Sequence, residues 1–476
     1  MIKTNFKAHP IMIIKLMKPY LFVLVLPIVR AVIQYFTKGE TDGLFTLETA
    51  AFVFVLIIAV LRWRSIDISV NDKSVTVKNG VIIKNCAVIE VSRISSVVLR
   101  QGPFDLIFKS VECSINTEAG TPQKSDFSLK MYSQDAKRLF KLIYGEENRE
   151  IIKFSAFKIA VLAATTSSAA TGIIVGIPII NQTSELLGIA ISDMLFDEIN
   201  VISEKFSTVF PPVVNAITLI FLVAYSVSFL ISFFKNLNFK LQSGKDEVDI
   251  QSGVIVRKRT VFKKSQVNNV CLEQTPLLRL FKRFSMRASI GGYGNMRGEK
   301  AVVIPVAEHA EIERQFKVHF PMISVKDEFT TPKRYPRALF RFLYIPTLFL
   351  LCIILIGIAL SALFPYFDRL VLFLTLVLLG IDVYYATVCY RNYKYGGLSL
   401  GDCVLAAGSE GFIIRELYCN KNKIGVIKIT QTPADRKYKT CKVKITVRSE
   451  NADSVKVKNL DMATVEQKIE NVFIRK

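Results

Sequence analysis

Histidine and tryptophan are almost missing from this chain: 476 residues hold three of the first and one of the second. His9, His309 and His319 match no metal-ligand spacing, and no Ser–His–Asp or Cys–His set assembles around them. The eight cysteines form no CxxC and no paired framework, which excludes a disulfide-stapled scaffold and suits a cytosolic or membrane setting. A small-residue cleavage site is lacking after the basic N-terminus, so the first apolar run is expected to be a retained span. GGYGNMRG (291–298) lacks the Lys-Ser/Thr end of a phosphate-binding loop and reads as a glycine-rich hairpin. Aromatic stacking platforms beside the basic runs are lacking too, which argues against nucleic acid as a partner. These absences point to no catalytic residue, no metal and no cofactor.

What the chain has instead is apolarity and positive charge together. Half its residues are apolar, yet the formal net charge is +22. Segregation reconciles the two, with apolar spans in lipid and basic domains beside it. A bilayer-crossing helix needs about 20 apolar residues. Candidates are 19–36, 46–62, 156–178, 211–234, 342–364 and 369–390, which fall into three pairs. Each pair is followed by a polar stretch with strand-like alternation, so one unit of span, span and soluble domain is used three times. The expected boundaries are 1–62, 154–235 and 336–391 for the helix pairs, and 63–153, 236–335 and 392–476 for the domains. The segments 1–18, 62–153, 235–341 and 391–476 hold 57 of the 62 Lys and Arg. The loop at 182–208 is acidic, with Glu185, Asp193, Asp197, Glu198 and Glu204. The positive-inside rule then places both termini and all three domains in the cytoplasm.

The repeat is legible residue by residue. Ile94, Val97, Leu99, Gln101 and Pro103 align with Val267, Val270, Leu272, Gln274 and Pro276, and with Ile424, Ile427, Ile429, Gln431 and Pro433. Five positions past each proline stands an aromatic residue (Phe108, Phe281, Tyr438), and a lysine follows it (Lys109, Lys282, Lys439). Upstream, Gly80, Gly253 and Gly411 each precede a β-branched run, where a tight turn needs positive φ. Downstream strands are expected at Val111–Thr117, Phe284–Ile290 and Lys442–Arg448. A helix is expected to close each domain: the first after Ser133 with Leu139, Phe140 and Ile143, the second with Ile312 and Phe316. The third follows Asp461 with Val465, Ile469 and Val472. Ser133 and Asp461 suit N-cap positions. Six or seven short strands plus one terminal helix is the plan of a PH-like split β-barrel. The fold class expected is a membrane protein with six transmembrane helices in three pairs and three cytosolic PH-like split β-barrels, each closed by a C-terminal helix.

The I-x-x-V-x-L-x-Q-x-P signature at 94–103, 267–276 and 424–433, joined to paired spans, resembles the bacterial PH-domain membrane proteins of the YdbS/YdbT type. The three-unit arrangement looks most like the longer, YdbT-like members. The third copy departs from the pattern, with ADRKYK (434–439) in place of an apolar tail. The resemblance implies a PH-like fold, a place in the bacterial cytoplasmic membrane and no established enzymatic activity. It also implies a connection with envelope integrity and protection from membrane-active peptides, and a smaller one-domain relative as protein partner.

Three groups of residues are candidates for function. Leu277, Leu278, Arg279, Leu280, Phe281, Lys282 and Arg283 interleave apolar and basic side chains, which suits a headgroup boundary or a partner. The structural reading of the same motif is that proline ends the strand while the glutamine amide ties down free backbone groups. Arg257, Lys258, Arg259, Lys263 and Lys264 form the densest basic run, read either as a solvated face or as a seat for anionic lipid headgroups. Asp382 lies inside the sixth span, where a carboxylate is a functional candidate by default, and Arg30 in the first span is its candidate partner. Ala164, Ser168, Gly172 and Gly176 recur every fourth residue and suit close helix packing. The reading is a non-enzymatic scaffold or binding platform for envelope homeostasis. The alternative is a transporter or lipid-handling protein that uses the six-span bundle and Asp382.

Overall fold

The computed structural model describes the chain except residues 1–3, 19, 21–43, 72, 118–126, 146–149, 169–193, 195–196, 200, 203–211, 292, 294–299, 324–328, 334–337, 449–452 and 475–476. The expected span 19–36 (Tyr20 apart), Arg30, Gly172, Gly176, most of the acidic loop and most of GGYGNMRG lie outside the described residues.

Three repeats follow one element order. The first runs β1 (Thr4–Lys7), α1 (Leu44–Arg64), β2 (Asp67–Val70), β3 (Ser74–Asn79), β4 (Asn85–Glu90), β5 (Ile94–Gln101), α2 (Pro103–Ile107), β6 (Ser110–Thr117), β7 (Phe127–Tyr132) and α3 (Ser133–Tyr144). The second runs β8 (Glu150–Lys153), α4 (Ala156–Thr166), α5 (Pro212–Asn236), β9 (Lys240–Ser243), β10 (Glu247–Ser252), β11 (Arg257–Lys263), β12 (Val267–Gln274), α6 (Pro276–Leu280), β13 (Phe284–Ile290), β14 (Ala301–Ala307) and α7 (His309–His319). The third runs α8 (Ala338–Leu363), α9 (Asp368–Tyr395), β15 (Gly397–Ser399), β16 (Cys403–Glu410), β17 (Ile413–Asn420), β18 (Ile424–Thr430), α10 (Pro433–Lys437), β19 (Thr440–Val447), β20 (Ser454–Asp461) and α11 (Met462–Ile469).

The chain divides into two compact units. In the first, the sheet β1-β2-β3-β4 and the strands β5 to β7 enclose one core, closed by α3. Ile68, Val75, Val97, Ile115 and Met131 are buried from the strands, and Leu139, Phe140 and Ile143 from α3, as the periodicity predicts. In the second unit, β15 to β17 and the sheet β18-β19-β20 enclose an equivalent core with Val465 of α11. Ile312 and Phe316 of α7 are buried as expected. Asp461 caps α11 by accepting from the Thr464 backbone N–H at 3.2 Å. Ser133 is not a cap: α3 begins at Ser133, with Tyr132 in the cap position. The Ser133 N–H donates instead to the Lys109 carbonyl at 3.0 Å, so the backbone supplies what a cap would have.

Two features of the sheets were not expected. The strands of adjacent repeats share a sheet: β5 pairs antiparallel with β11, and β12 with β17. In addition, the chain just before the apolar segment of each repeat lies beside the strand just after it. Thr4–Lys7 pairs antiparallel with Asp67–Val70, β8 neighbours β9, and Thr330 bridges Leu398.

Three helices are long and apolar enough to cross a membrane among the described residues: Ile217–Asn236 within α5, Ala338–Leu363, and Pro365–Tyr395, which contains α9. They answer three of the six expected spans. The expected span 46–62 lies within the helix α1. Within the expected span 156–178, α4 stops at Thr166 and Ser167 is extended, so the helix is broken there; residues 169–178 lie outside the described residues. The hydroxyls of Thr165, Thr166 and Ser167 bond back to the Leu162 and Ala163 carbonyls at 2.6–3.2 Å, competing with continuation of the helix. Ala164 and Ser168 pack against α5, with Tyr225 Oη donating to the Ala164 carbonyl at 2.7 Å and the Ser168 N–H to Ser228 Oγ at 3.2 Å. Gly357 lets α8 and α9 approach closely; a Cβ there would meet Thr375 Oγ1 at 2.8 Å.

Candidate functional site

The Gln-x-Pro motif builds the same corner three times. A strand ends at the glutamine, or one residue before it in the third repeat, the residue after the glutamine takes the N-cap position, and the proline opens a five-residue helix. Proline suits that place because its fixed φ is helical and its missing N–H is not needed there. The glutamine amide then crosses the turn: Gln101, Gln274 and Gln431 each donate to the carbonyl nine residues on (Ser110, Arg283 and Thr440), at 3.0, 3.1 and 2.9 Å. The recurring lysine ends the helix. Lys109, Lys282 and Lys439 have φ of 53°, 53° and 50°, a left-handed conformation that reverses the chain into the next strand. In the first and third repeats this lysine's carbonyl receives the first N–H of the closing helix, from Ser133 at 3.0 Å and Met462 at 3.1 Å. Gly80, Gly253 and Gly411 have φ of 112°, 94° and 58°, as the turns require.

The corners differ in one buried position. Asp105 and Asp435 occupy it in the first and third repeats, and Leu278 in the second. Asp105 accepts from Lys130 Nζ and Ser110 Oγ, both at 2.6 Å. Burial raises its carboxyl, but these bonds and one from the Gly102 N–H prevail and hold it below the usual carboxylate range. Asp435 accepts from Thr432 and from Arg341 at the start of α8. Its burial is likewise outweighed by the Thr432 and Arg341 hydrogen bonds, which leave it lowered. Strand register places Val306 where the first repeat has Lys130. The second corner has therefore exchanged an ion pair for an apolar one. Leu278 and Val306 pack with Val161 and Leu162 of α4.

Helices long enough to span a membrane end on these corners. Arg341 of α8 holds the third corner, bonding also to Thr440 Oγ1 at 3.2 Å. Arg391, near the end of α9, donates to Gln274 Oε1 of the second corner and lies over the Phe284 ring at 5.5 Å. The Arg279 guanidinium lies 5.5 Å from the Tyr384 ring of α9. Tyr384 Oη donates to the Phe412 carbonyl at the β16–β17 turn, at 3.3 Å. The arrangement joins helix ends to domains through side chains that carry no reactive constellation.

The predicted residues divide accordingly. Within 277–283, Leu278 faces the interior, Arg279 meets α9, and Arg283 pairs with Glu308 at 2.7 Å. Leu277 is half-buried, while Leu280, Phe281 and Lys282 are exposed. The basic run is mostly engaged within its sheet. Arg259 forms a two-bond pair with buried Asp249, the shorter at 2.7 Å, and its guanidinium lies 4.0 Å from the Phe140 ring. Lys258 reaches Tyr293 Oη at 3.1 Å. Lys263 donates to the Val91 carbonyl at 2.7 Å, and Lys264 to the Gly244 carbonyl at 2.8 Å. Arg257 is the exposed member. Alternation along β11 sends neighbouring cations to opposite faces, which a linear count of charge does not register. Asp382 is buried on α9.

Sequence reasoning did not single out Arg341, Arg391, Asp105 or Asp435; aligning the residue two past each motif proline would have exposed the Asp/Leu/Asp exchange. It also missed His309 as a junction residue. His309 Nε2 contacts Glu416 at 3.2 Å and Nδ1 contacts Glu313 at 3.3 Å. The Glu416 hydrogen bond raises the imidazole above its ordinary 6.5, against burial. A raised folded value means the contact stabilises fully below the unfolded value and is lost as pH rises through the folded one. An NMR titration of His309 is expected to give a midpoint above 6.5, and Glu416→Gln to bring it down.

The bacterial PH domain profile matches residues 20–147 and 194–317. Over 372 residues, 72% of this chain and 72% of the relative, the chain is 19% identical to the UPF0699 transmembrane protein YdbT of Bacillus subtilis (strain 168). No solved structure matches.

Proposed function

The chain belongs to the bacterial PH domain family, and on that premise we propose that this membrane protein is a non-enzymatic platform of the bacterial cytoplasmic membrane. Three helix pairs, six spans in all, carry three PH-like domains on the cytosolic side and support envelope homeostasis, including resistance to membrane-active peptides. The observation that carries this reading is the strand pairing across each helix pair. Thr4–Lys7 beside Asp67–Val70, β8 beside β9, and Thr330 beside Leu398 require the chain to return to the side it left. An even number of crossings between the members of each pair satisfies that. The concentration of Lys and Arg in the domain segments supports the cytosolic side.

On this reading the exposed Leu280, Phe281 and Lys282 meet the bilayer surface, where apolar side chains enter the headgroup boundary and cations meet anionic lipid. Arg257 is the member of the basic run free to do the same. A smaller one-domain relative is the proposed protein partner. Phe281→Trp in a Trp63→Phe background is expected to be quenched by brominated lipid in anionic nanodiscs. Absence of quenching would remove bilayer contact from the reading.

A second reading rests on Asp382, buried within the apolar stretch of α9 between Arg369 and Arg391: a transport or lipid-handling route through the helices. Challenge of a deletion strain with a membrane-active peptide separates the two. The platform predicts rescue by Asp382→Asn and none by Leu278→Asp; the route predicts that Asp382→Asn fails to rescue while folding normally.

A further inference from the structure

The two junctions between repeats have the same register. Val97 lies opposite Val261 at the first, and Val270 opposite Tyr418 at the second. Val97 and Val270 are equivalent positions of the repeat, as are Val261 and Tyr418. Gln101 opposite Arg257 and Gln274 opposite Ile414 are likewise equivalent pairs. One kind of edge, β5 or β12, thus meets the other kind, β11 or β17, in a fixed way.

One strand of each kind is left over. β4 is the first repeat's counterpart of β11 and β17, and β18 the third repeat's counterpart of β5 and β12. Among the described residues, β4 pairs with β3 only and β18 with β19 only. Proteins usually blunt an open edge with charge, proline or a covering segment. These two edges, NCAVIE and IGVIKIT, have no proline, and Lys428 is their one cation. Val88 is 63% exposed, whereas its counterpart Val261 is 0% exposed in its junction. Val426 is 57% exposed, whereas its counterparts Ser96 and Asn269 are both 0%.

We propose that β18 of one copy pairs antiparallel with β4 of a second copy, repeating the internal junction between chains. The register follows from the repeat: Ile427 opposite Val88, Ile429 opposite Cys86, and Gln431 opposite Lys84. The second copy is the occupant because it presents the complementary edge, in the register already used twice within the chain. The contact is head-to-tail, so successive copies form a closed ring or an open row.

Cys86, an exposed free cysteine, makes the register testable. Directly opposite residues of an antiparallel pair have Cα atoms about 4.5–5.5 Å apart, within disulfide range. One copy carries Ile429→Cys with Cys86→Ser and one tag; the other keeps Cys86 and carries a second tag. Both are co-expressed, and native membranes are oxidised with copper phenanthroline. The expected result is a reducible band at twice the chain mass carrying both tags. Lys428→Cys in place of Ile429→Cys should give less than about a tenth of that band, because adjacent strand residues face opposite sides. Val88→Lys, at an exposed position, should reduce the Ile429→Cys product at least tenfold. No two-tag band, or equal yield from Lys428→Cys, overturns the proposal. In a chain that carries both Ile429→Cys and Cys86, an internal link without any link between chains overturns it as well.

Discussion

Leu278→Asp is expected to destabilise the second unit by more than about 5 kcal/mol, although aspartate is the residue at this position in the other two repeats. Two costs add. Removing a buried leucine from its cluster with Val161, Leu162 and Val306 costs about 2–5 kcal/mol. An unpaired carboxylate in the same place adds several kcal/mol of lost hydration. Asp105 avoids both because Lys130 and Ser110 hold it; Asp435 avoids them because Arg341 and Thr432 do. The second repeat has Val306 where Lys130 would stand, and Arg283, where Ser110 would stand, turns to Glu308. Total domain stability is about 5–15 kcal/mol, so the variant should be largely unfolded or degraded. Val306→Lys in the same chain should restore part of the loss by rebuilding the first repeat's ion pair, and Leu278→Ala should cost about 3 kcal/mol. Thermal unfolding in detergent compares the three; equal stability of Leu278→Asp and wild type would refute the corner assignment.

Arg341→Ala carries the second largest expected effect. The carboxylate it leaves is nearly buried, with Asp435 side-chain exposure of 9% against 25% for Arg341. Breaking such a pair costs about 3–5 kcal/mol when both ions are buried; the partial exposure of Arg341 and the remaining Thr432 bond place this one near 3 kcal/mol. Adding Asp435→Leu should recover most of it, since the second repeat already uses leucine there. The pH dependence has a definite sign. The Asp435 carboxyl is lowered from 3.8 in the fold, so its contribution is present above that value and is lost as pH falls through the lower folded one. The stability gap between wild type and Arg341→Ala should therefore close in acid below pH 3.8.

Local sequence rules reached the repeated parts of the fold because those parts are local. Gly80, Gly253 and Gly411 mark turns that need positive φ, and Gln101, Gln274 and Gln431 reach carbonyls only nine residues away. Val111, Leu139 and Phe140 follow the period of their own element. What pairs with what is a different kind of information. Thr4–Lys7 is a short, mostly polar segment, and its partner lies some sixty residues on, beyond α1; nothing in its own period announces it. The alternation of β5 and β12 shows which face is buried, but not that the edge belongs to the next repeat. Arg257–Lys264 reads as one basic face in linear order, and the pleat separates it. The break after Thr166 needed the hydroxyl bonds of Thr165, Thr166 and Ser167, which compete with an apolar run that alone looks continuous. Asp105, Leu278 and Asp435 were visible as an aligned column, yet their roles depend on Lys130, Val306 and Arg341, which come from other elements.

Accessibility of single cysteines tests the central claim most directly. In a cysteine-free background, Ile82→Cys, Lys282→Cys and Lys423→Cys place one thiol in each PH-like domain. Tyr366→Cys places one at the exposed turn between α8 and α9. A membrane-impermeant maleimide is applied to intact cells and to inverted vesicles. The account predicts labelling of Tyr366→Cys from outside the cell and of the three domain positions only in inverted vesicles. Labelling of any domain position in intact cells would contradict it, because that domain would then lie outside the cytosol.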